Sequence, residues 1–398
     1  MKKLRIAIAG LGNRGRLCFE ALLMQHTDEV EISALCDVND VRLHASARRT
    51  NVDSAHCYND FNAMLAAEKL DGVVVTTPDC FHEPMVIAAL EAKVGVLVDK
   101  PLATSAAGCR RIIAASEKSG SPVMIGFNLR HHPVAVRLKQ VIEQGMLGRI
   151  YLVEGEEFYS GGRTYLARWN GHTKYCGSLW IHKGSHDFDL MNWMLGFPEP
   201  VRVTAVGRKE VFTPDQLPFE PKPGVEPGPS CSKCAYASVC PDIHTYSDAE
   251  WGDEAQRCDG YVKDRCIYNT DTDIHDNGIA IVEYANGVKA SFMECFATSR
   301  NERRYMLVGT RAAAEVSLEK YRIIISPRWS EETITIQIPN AQGGHGGADP
   351  GLVQSFIDNL AGRSTDVASV RQGLLASSIG EAAERSRREN RTVELSEL

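Results

Sequence analysis

Through the first 125 residues, short apolar runs alternate with amphipathic stretches. Residues 4–9, 30–36, 72–76, 95–98 and 122–126 have the length and apolar content of strands. Residues 14–25, 41–49, 83–93 and 106–119 read as the helices between them. Such alternation implies parallel strands joined by crossover helices, with both faces of the sheet covered. After about residue 149 the rhythm changes. Residues 150–158, 201–211, 278–284, 288–296, 303–308, 313–318, 322–326 and 333–338 read as strands, and the Ala-Asn-Gly turn at 285–287 marks a hairpin. Helices at 351–360 and 370–390 close the chain. The expected architecture is an α/β domain over 1–125, then an α+β domain over 126–398 with an open, mostly antiparallel β-sheet and C-terminal helices at 351–398. Residues 213–230 hold six prolines, which exclude regular structure, so 213–270 reads as an insertion between strands.

At 398 residues, with 43% hydrophobic and 24% charged positions, the chain has ordinary globular composition. A formal charge of −7 provides no global field that would draw nucleic acid or anionic lipid. No apolar run reaches the roughly 18 residues that span a bilayer. The opening Met1-Lys2-Lys3 leads into a short strand and a glycine turn rather than a signal-peptide core, so a cytoplasmic location is expected.

The first strand runs into Gly10-Leu11-Gly12-Asn13-Arg14-Gly15, a G-x-G-x-x-G pattern that opens a helix. In that context Gly10 permits the tight turn, Gly12 lets the backbone approach a pyrophosphate, and Gly15 allows helix and strand to pack closely. The helix start, with Asn13 and Arg14, faces the phosphates. Asp37, at the end of the second strand and 22 residues after Gly15, can accept from the ribose hydroxyls and repels a 2′-phosphate. Its alternative role is to cap the following helix, which Asn39 could do equally well. The expected cofactor is NAD, with Arg42 leaving room for NADP.

Lys100, in Val98-Asp99-Lys100-Pro101, lies at the carboxyl end of a strand, where open α/β sheets bind ligands. Thr76-Thr77-Pro78-Asp79-Cys80-Phe81-His82 and Gly126-Phe127-Asn128-Leu129-Arg130 follow two further strands. With these motifs in order, the chain resembles the glucose–fructose oxidoreductase / inositol dehydrogenase (Gfo/Idh/MocA) family over nearly its whole length. Asp99 stands where that family has Glu. The resemblance implies a Rossmann domain, with Thr76, Thr77, Pro78, His82, Asp99, Lys100 and Asn128 beside the nicotinamide. It also implies oxidation of a secondary hydroxyl on a sugar, inositol or glycoside. The family's further signature is an Asp, three residues, then a His. Here His186 matches the histidine, but His182 replaces the Asp and Lys183 follows it. On one helix His182 and His186 would share a face.

Oxidising a carbinol requires a hydride acceptor and a base for the hydroxyl proton. A desolvated lysine near a cationic nicotinamide has a lowered pKa and can act as that base. The family resemblance implies Lys100 and His186 as the proton-transfer pair, with Lys183 and His182 as auxiliary groups. Arg130, Tyr159, Arg168, Trp169 and His345, the last in a glycine-rich loop, are expected with Lys100, Lys183 and His186 around a carbohydrate. Two other readings remain. One is a glycoside-cleaving enzyme that oxidises transiently and recycles its nicotinamide. The other is a non-catalytic NAD- and sugar-binding sensor.

Five of the 12 cysteines fall between Cys231 and Cys266. In a reducing compartment, Cys231-x2-Cys234-x5-Cys240 has the spacing of a structural zinc site; an iron–sulfur cluster, disulfides and free thiols are the alternatives. Resemblance to family members with a similar run implies Cys266 as fourth ligand, leaving Cys258 over. The expected partners are a small carbohydrate and further copies of the chain as a homo-oligomer, with no nucleic acid and no membrane.

Overall fold

The computed structural model describes residues 2–246, 250–364 and 367–398. Six strands form the first sheet: β1 (Leu4–Ala9), β2 (Val30–Cys36), β3 (Cys57–Tyr58), β4 (Gly72–Val75), β5 (Gly95–Val98) and β6 (Val123–Ile125). Their order is β3-β2-β1-β4-β5-β6 and every pairing is parallel. This doubly wound order places the carboxyl ends of β1 and β4 side by side at the point where the winding reverses. The sequence pattern misses β3 and the helix Phe61–Ala67. A two-residue edge strand carries no periodicity to read.

The second sheet has nine strands: β7 (Ile150–Tyr159), β8 (Pro200–Arg208), β9 (Asn277–Tyr284), β10 (Lys289–Cys295), β11 (Asn301–Gly309), β12 (Ala312–Ser317), β13 (Arg322–Pro327), β14 (Ile334–Gln337) and β15 (Val393–Glu394). All pairs are antiparallel except β7 with β10. Burial alternates along β9 and β10, as in a sheet with one covered face. The inner residues Val153, Ala280, Val282 and Phe292 join the main core beneath the helix Ser185–Leu195. On the other face Leu152, Val206, Ile279, Ile281 and Met293 are exposed.

The two C-terminal helices bind the halves together. Leu352, Val353, Phe356 and Ile357, from the helix Gly344–Leu360, share a core with Ile6, Ile8, Val74 and Leu97 of the parallel sheet. The helix Val370–Glu389 packs on β8, on Ala106–Ser119 and on Ser185–Leu195. Among the described residues no helix is long and apolar enough to cross a membrane.

The single helix expected through His182 and His186 is broken. One helix ends at His182 and the next begins at Ser185. The amides of Lys183 and Gly184 both donate to the Leu179 carbonyl, at 2.7 and 2.9 Å, which closes the first helix. The His186 amide then donates to the Lys183 carbonyl, and the His182 carbonyl is released from helical bonding.

Candidate active site

The glycine turn is built for close backbone approach. Gly10 has φ +89°, and a Cβ there would lie 2.7 Å from the Thr76 carbonyl carbon. A Cβ on Gly15 would lie 2.1 Å from the Gly10 carbonyl oxygen. Gly12 differs, because the nearest heavy atom to its Cβ would be in the Trp251 ring at 3.7 Å. Gly10 and Gly15 are thus required by the fold, whereas a Cβ on Gly12 would meet no clash within the protein. Asp37 does not cap the helix Asp40–Thr50; Asn39 does, accepting from the Val41 and Arg42 amides. The Asp37 carboxylate instead accepts from the Leu11 amide at 2.7 Å and the Asn39 amide at 2.8 Å, which ties the acid to the glycine turn. Arg42 bridges Asp37 at 3.2 Å and Asp259 at 2.5 Å. These features fit a dinucleotide laid over the carboxyl ends of the strands, with an acid at the ribose.

Lys100 follows β5 at the same edge and is half-buried. Its ammonium donates to the His182 carbonyl, the oxygen released by the helix break. Burial lowers its pKa, against the opposing pull of Asp79 and Asp99. His82 holds this turn in place, bonding the Pro101 carbonyl at 2.7 Å and the Thr77 carbonyl at 3.0 Å. Thr76 donates to the Gly10 carbonyl at 2.5 Å, and Pro78 turns the chain toward Asp79. Asp99 pairs with Arg14 at 3.3 Å.

Sequence reasoning missed two carboxylates. Asp349 accepts from Arg14 at 3.1 Å and from Asn128 at 2.7 Å, and contacts His345 Nδ1 at 2.9 Å. It thereby joins the glycine turn to the glycine-rich loop. Asp79, 3% exposed, contacts His182 Nδ1 at 2.7 Å. Burial raises its pKa to about 7. A carboxylate thus meets His182, which stands where the family has an Asp, from 103 residues away. The only available signal was its place in the Thr-Pro stretch. His182 is enclosed by Tyr165, Trp169 and the Asn170 amide, and burial holds the ring neutral.

His186 also stays neutral through burial and the nearby cations Lys100 and Lys183. It lies between Phe127 and His345, with ring centroids 6.4 and 6.3 Å away, and its buried Nδ1 has no partner among the described residues. Lys183 pairs with Glu157 at 2.9 Å and lies 4.7 Å from the Tyr159 ring centre. Although burial opposes the charge, Glu157 keeps Lys183 protonated well above the usual lysine range. Its role is that of a fixed cation.

Two expected substrate residues are engaged elsewhere. Arg130 binds Asp189 at 2.5 and 2.8 Å and Gln372 at 2.9 Å, so its guanidinium braces the helix Ser185–Leu195. Arg168 bonds the Tyr246 hydroxyl. Trp169 packs edge-on to His182 at 5.3 Å.

Cys231, Cys234, Cys240 and Cys266 line one cavity of about 20 Å³. The Gly228 and Tyr236 amides donate to Cys234 Sγ at 3.3 and 3.4 Å. Among the described residues no group of three or more His, Cys, Asp and Glu side chains is arranged to hold a metal ion. The expected ligands therefore share a cavity without closing on a common point. Cys258 is exposed on the helix Asp253–Asp259 and does not line it.

Residues 4–127 match the model of the oxidoreductase family's NAD-binding Rossmann fold, and residues 139–395 match that of its C-terminal alpha/beta domain. The protein YteT of Bacillus subtilis (strain 168) is 29% identical over 99% of this chain and 98% of its own length. Inositol 2-dehydrogenase of Salmonella typhimurium (strain LT2) is 31% identical over 48% of this chain and 54% of its own. Among solved structures, levoglucosan dehydrogenase in complex with NADH and levoglucosan aligns with a TM-score of 0.76 at 17% identity, covering 99% of this chain and 100% of that one. The WlbA dehydrogenase of Bordetella pertussis, in complex with NADH and UDP-GlcNAcA, aligns with a TM-score of 0.71 at 20% identity, covering 99% of each. The order of the parallel strands, the glycine turn tied to Asp37 and both matched halves agree, and the chain belongs to the Gfo/Idh/MocA oxidoreductase family.

Proposed function

We propose that the protein is a cytoplasmic, NAD-dependent oxidoreductase acting on a secondary hydroxyl of a sugar, an inositol or a glycoside. The observation that carries this reading is Lys100: a half-buried ammonium at the carboxyl edge of β5, with a lowered pKa, on the edge that carries the glycine turn. The bound nicotinamide would supply the hydride acceptor. In its neutral amine form, which burial favours, Lys100 takes the hydroxyl proton, aimed by the His182 carbonyl. His186, neutral and without a partner at Nδ1 among the described residues, accepts or returns it. Lys183, held cationic by Glu157, donates to substrate oxygens beside Tyr159 rather than acting as a base. Asp37 favours NAD over NADP, and Arg42, the cation that could meet a 2′-phosphate, is already engaged by Asp37 and Asp259. The partial match to inositol 2-dehydrogenase supports a polyol or sugar.

The exposed apolar residues of β7, β8, β9 and β10 support a homo-oligomer joined through the open sheet. A structural zinc on Cys231, Cys234, Cys240 and Cys266 belongs to the same proposal. Its support is the shared cavity and the amides already donating to Cys234.

A second reading, glycoside cleavage through transient oxidation, draws on the Asp79–His182 pair, an additional buried proton-exchanging unit. One assay separates the two. The enzyme and NAD⁺ are presented with inositols, free sugars and aryl glycosides while NADH absorbance and aglycone release are followed together. NADH accumulating with a keto product is the expected result. Aglycone release without net reduction would replace the first reading with the second.

A further inference from the structure

The cysteine-rich insertion does not stay within its own half of the molecule. Its segment 250–263 lies across the glycine turn and the helix Asp40–Thr50, anchored at four places. Glu250 pairs with Arg16 at 3.0 Å and Arg49 at 2.6 Å. The Asn39 side-chain Nδ2 donates to the Ala255 carbonyl at 2.9 Å. Asp259 holds Arg42, and Lys263 Nζ donates to Asn13 Oδ1 at 3.1 Å. Between these anchors, the Trp251 ring sits over the open face of Gly12. Lys263 lies 3.6 Å from the centre of that ring. Both side chains are buried, at 8% and 4% exposure, and the Trp251 indole N–H is a buried donor with no partner among the described residues.

The Lys263 cation and the Trp251 ring, whose N–H has no partner among the described residues, stand next to the one glycine of the turn whose Cβ would meet no clash, and together they form a site for an anion. The dinucleotide's diphosphate is the anion whose approach Gly12 permits. We infer that Lys263 and Trp251 form the second wall of the cofactor site, closing on the diphosphate from the side opposite the glycine turn and slowing its release. This rests on the NAD reading above. In the chain this segment stands between Cys240 and Cys266, both of which line the cysteine cavity.

The test is release of NADH from the full-length protein, chased with excess NAD⁺ and followed by the cofactor's own fluorescence. Competition by ADP-ribose and by adenosine is measured alongside. Lys263→Met and Trp251→Phe should each speed release about tenfold or more, as expected for losing a hydrogen bond to a charged group. Both should weaken ADP-ribose while leaving adenosine, which lacks the diphosphate, unchanged. Trp251→Phe keeps an aromatic side chain while removing the indole N–H and shortening the ring, so it carries the test if Lys263→Met fails to fold. Wild-type release rates in the folded variants, or equal loss of ADP-ribose and adenosine, would overturn the inference. Absence of NADH binding by the wild-type protein would instead overturn the NAD reading on which it stands.

Discussion

Replacing Asp79 by Asn probes the buried acid–imidazole pair directly. Burial lifts the Asp79 carboxyl from 3.8 to about 7, so the folded protein keeps a proton there that the unfolded chain loses near pH 4. The stability gained from that proton is fully present below the unfolded pKa. It declines as the pH rises and is gone above about pH 7. At about 1.4 kcal/mol per pH unit, the total loss is roughly 4 kcal/mol for this 3%-exposed group. Asn keeps an oxygen that can accept from His182 Nδ1 but has no proton to lose. Urea unfolding of wild type and Asp79→Asn, measured at intervals from pH 4 to pH 8.5, reads the difference. The variant should gain on wild type by roughly 4 kcal/mol across that range, with most of the change between pH 4 and pH 7. A difference that stays constant with pH would show that Asp79 ionises normally, and the account of the pair would fall.

Lys100→Met should cut turnover by at least about 100-fold, the usual lower range for losing a proton-transfer group, while NADH still binds by fluorescence titration. Loss of binding in step with turnover would make Lys100 a cofactor anchor instead. Gly12→Ala should melt like wild type, since its Cβ meets only the Trp251 ring at 3.7 Å, yet bind NADH more than about tenfold more weakly. Gly15→Ala, with its Cβ 2.1 Å from the Gly10 oxygen, should lose on the order of 1–3 kcal/mol of stability without any cofactor. Elemental analysis of protein purified without chelator should find one zinc per chain. Metal-free protein with freely reactive thiols at Cys231, Cys234, Cys240 and Cys266 would remove zinc from the description.

The sequence made legible what is local. The apolar runs located the long strands, and the glycine turn and Asp37 could be placed because strand, turn and acid follow one another along the chain. Interactions joining distant positions were not legible. Asp79 meets His182 across 103 residues, and Arg130 turns to Asp189 and Gln372 through contacts that no periodicity encodes. The break after His182 escaped notice because the stretch 179–195 carries no proline, only Gly184, and the interruption depends on two amides sharing the Leu179 carbonyl. The insertion was recognised as irregular, but its reach back to Asn13, Asn39 and Arg42 was not.

The helix Gly344–Leu360, which buries Phe356 and Leu352 beneath β1, β4 and β5, sets the timing of assembly. One face of the first sheet is covered by a segment that leaves the ribosome more than 200 residues after the last strand of that sheet. Until it arrives, Ile6, Ile8, Val74 and Leu97 share their core only with N-terminal residues such as Leu11, Phe19, Leu23 and Leu43, and the nascent half presents a sticky, incomplete surface. Production of this protein should therefore be sensitive to anything that delays or truncates the 3′ end of its message. An isolated N-terminal fragment should be a client for chaperones rather than a working nucleotide-binding module.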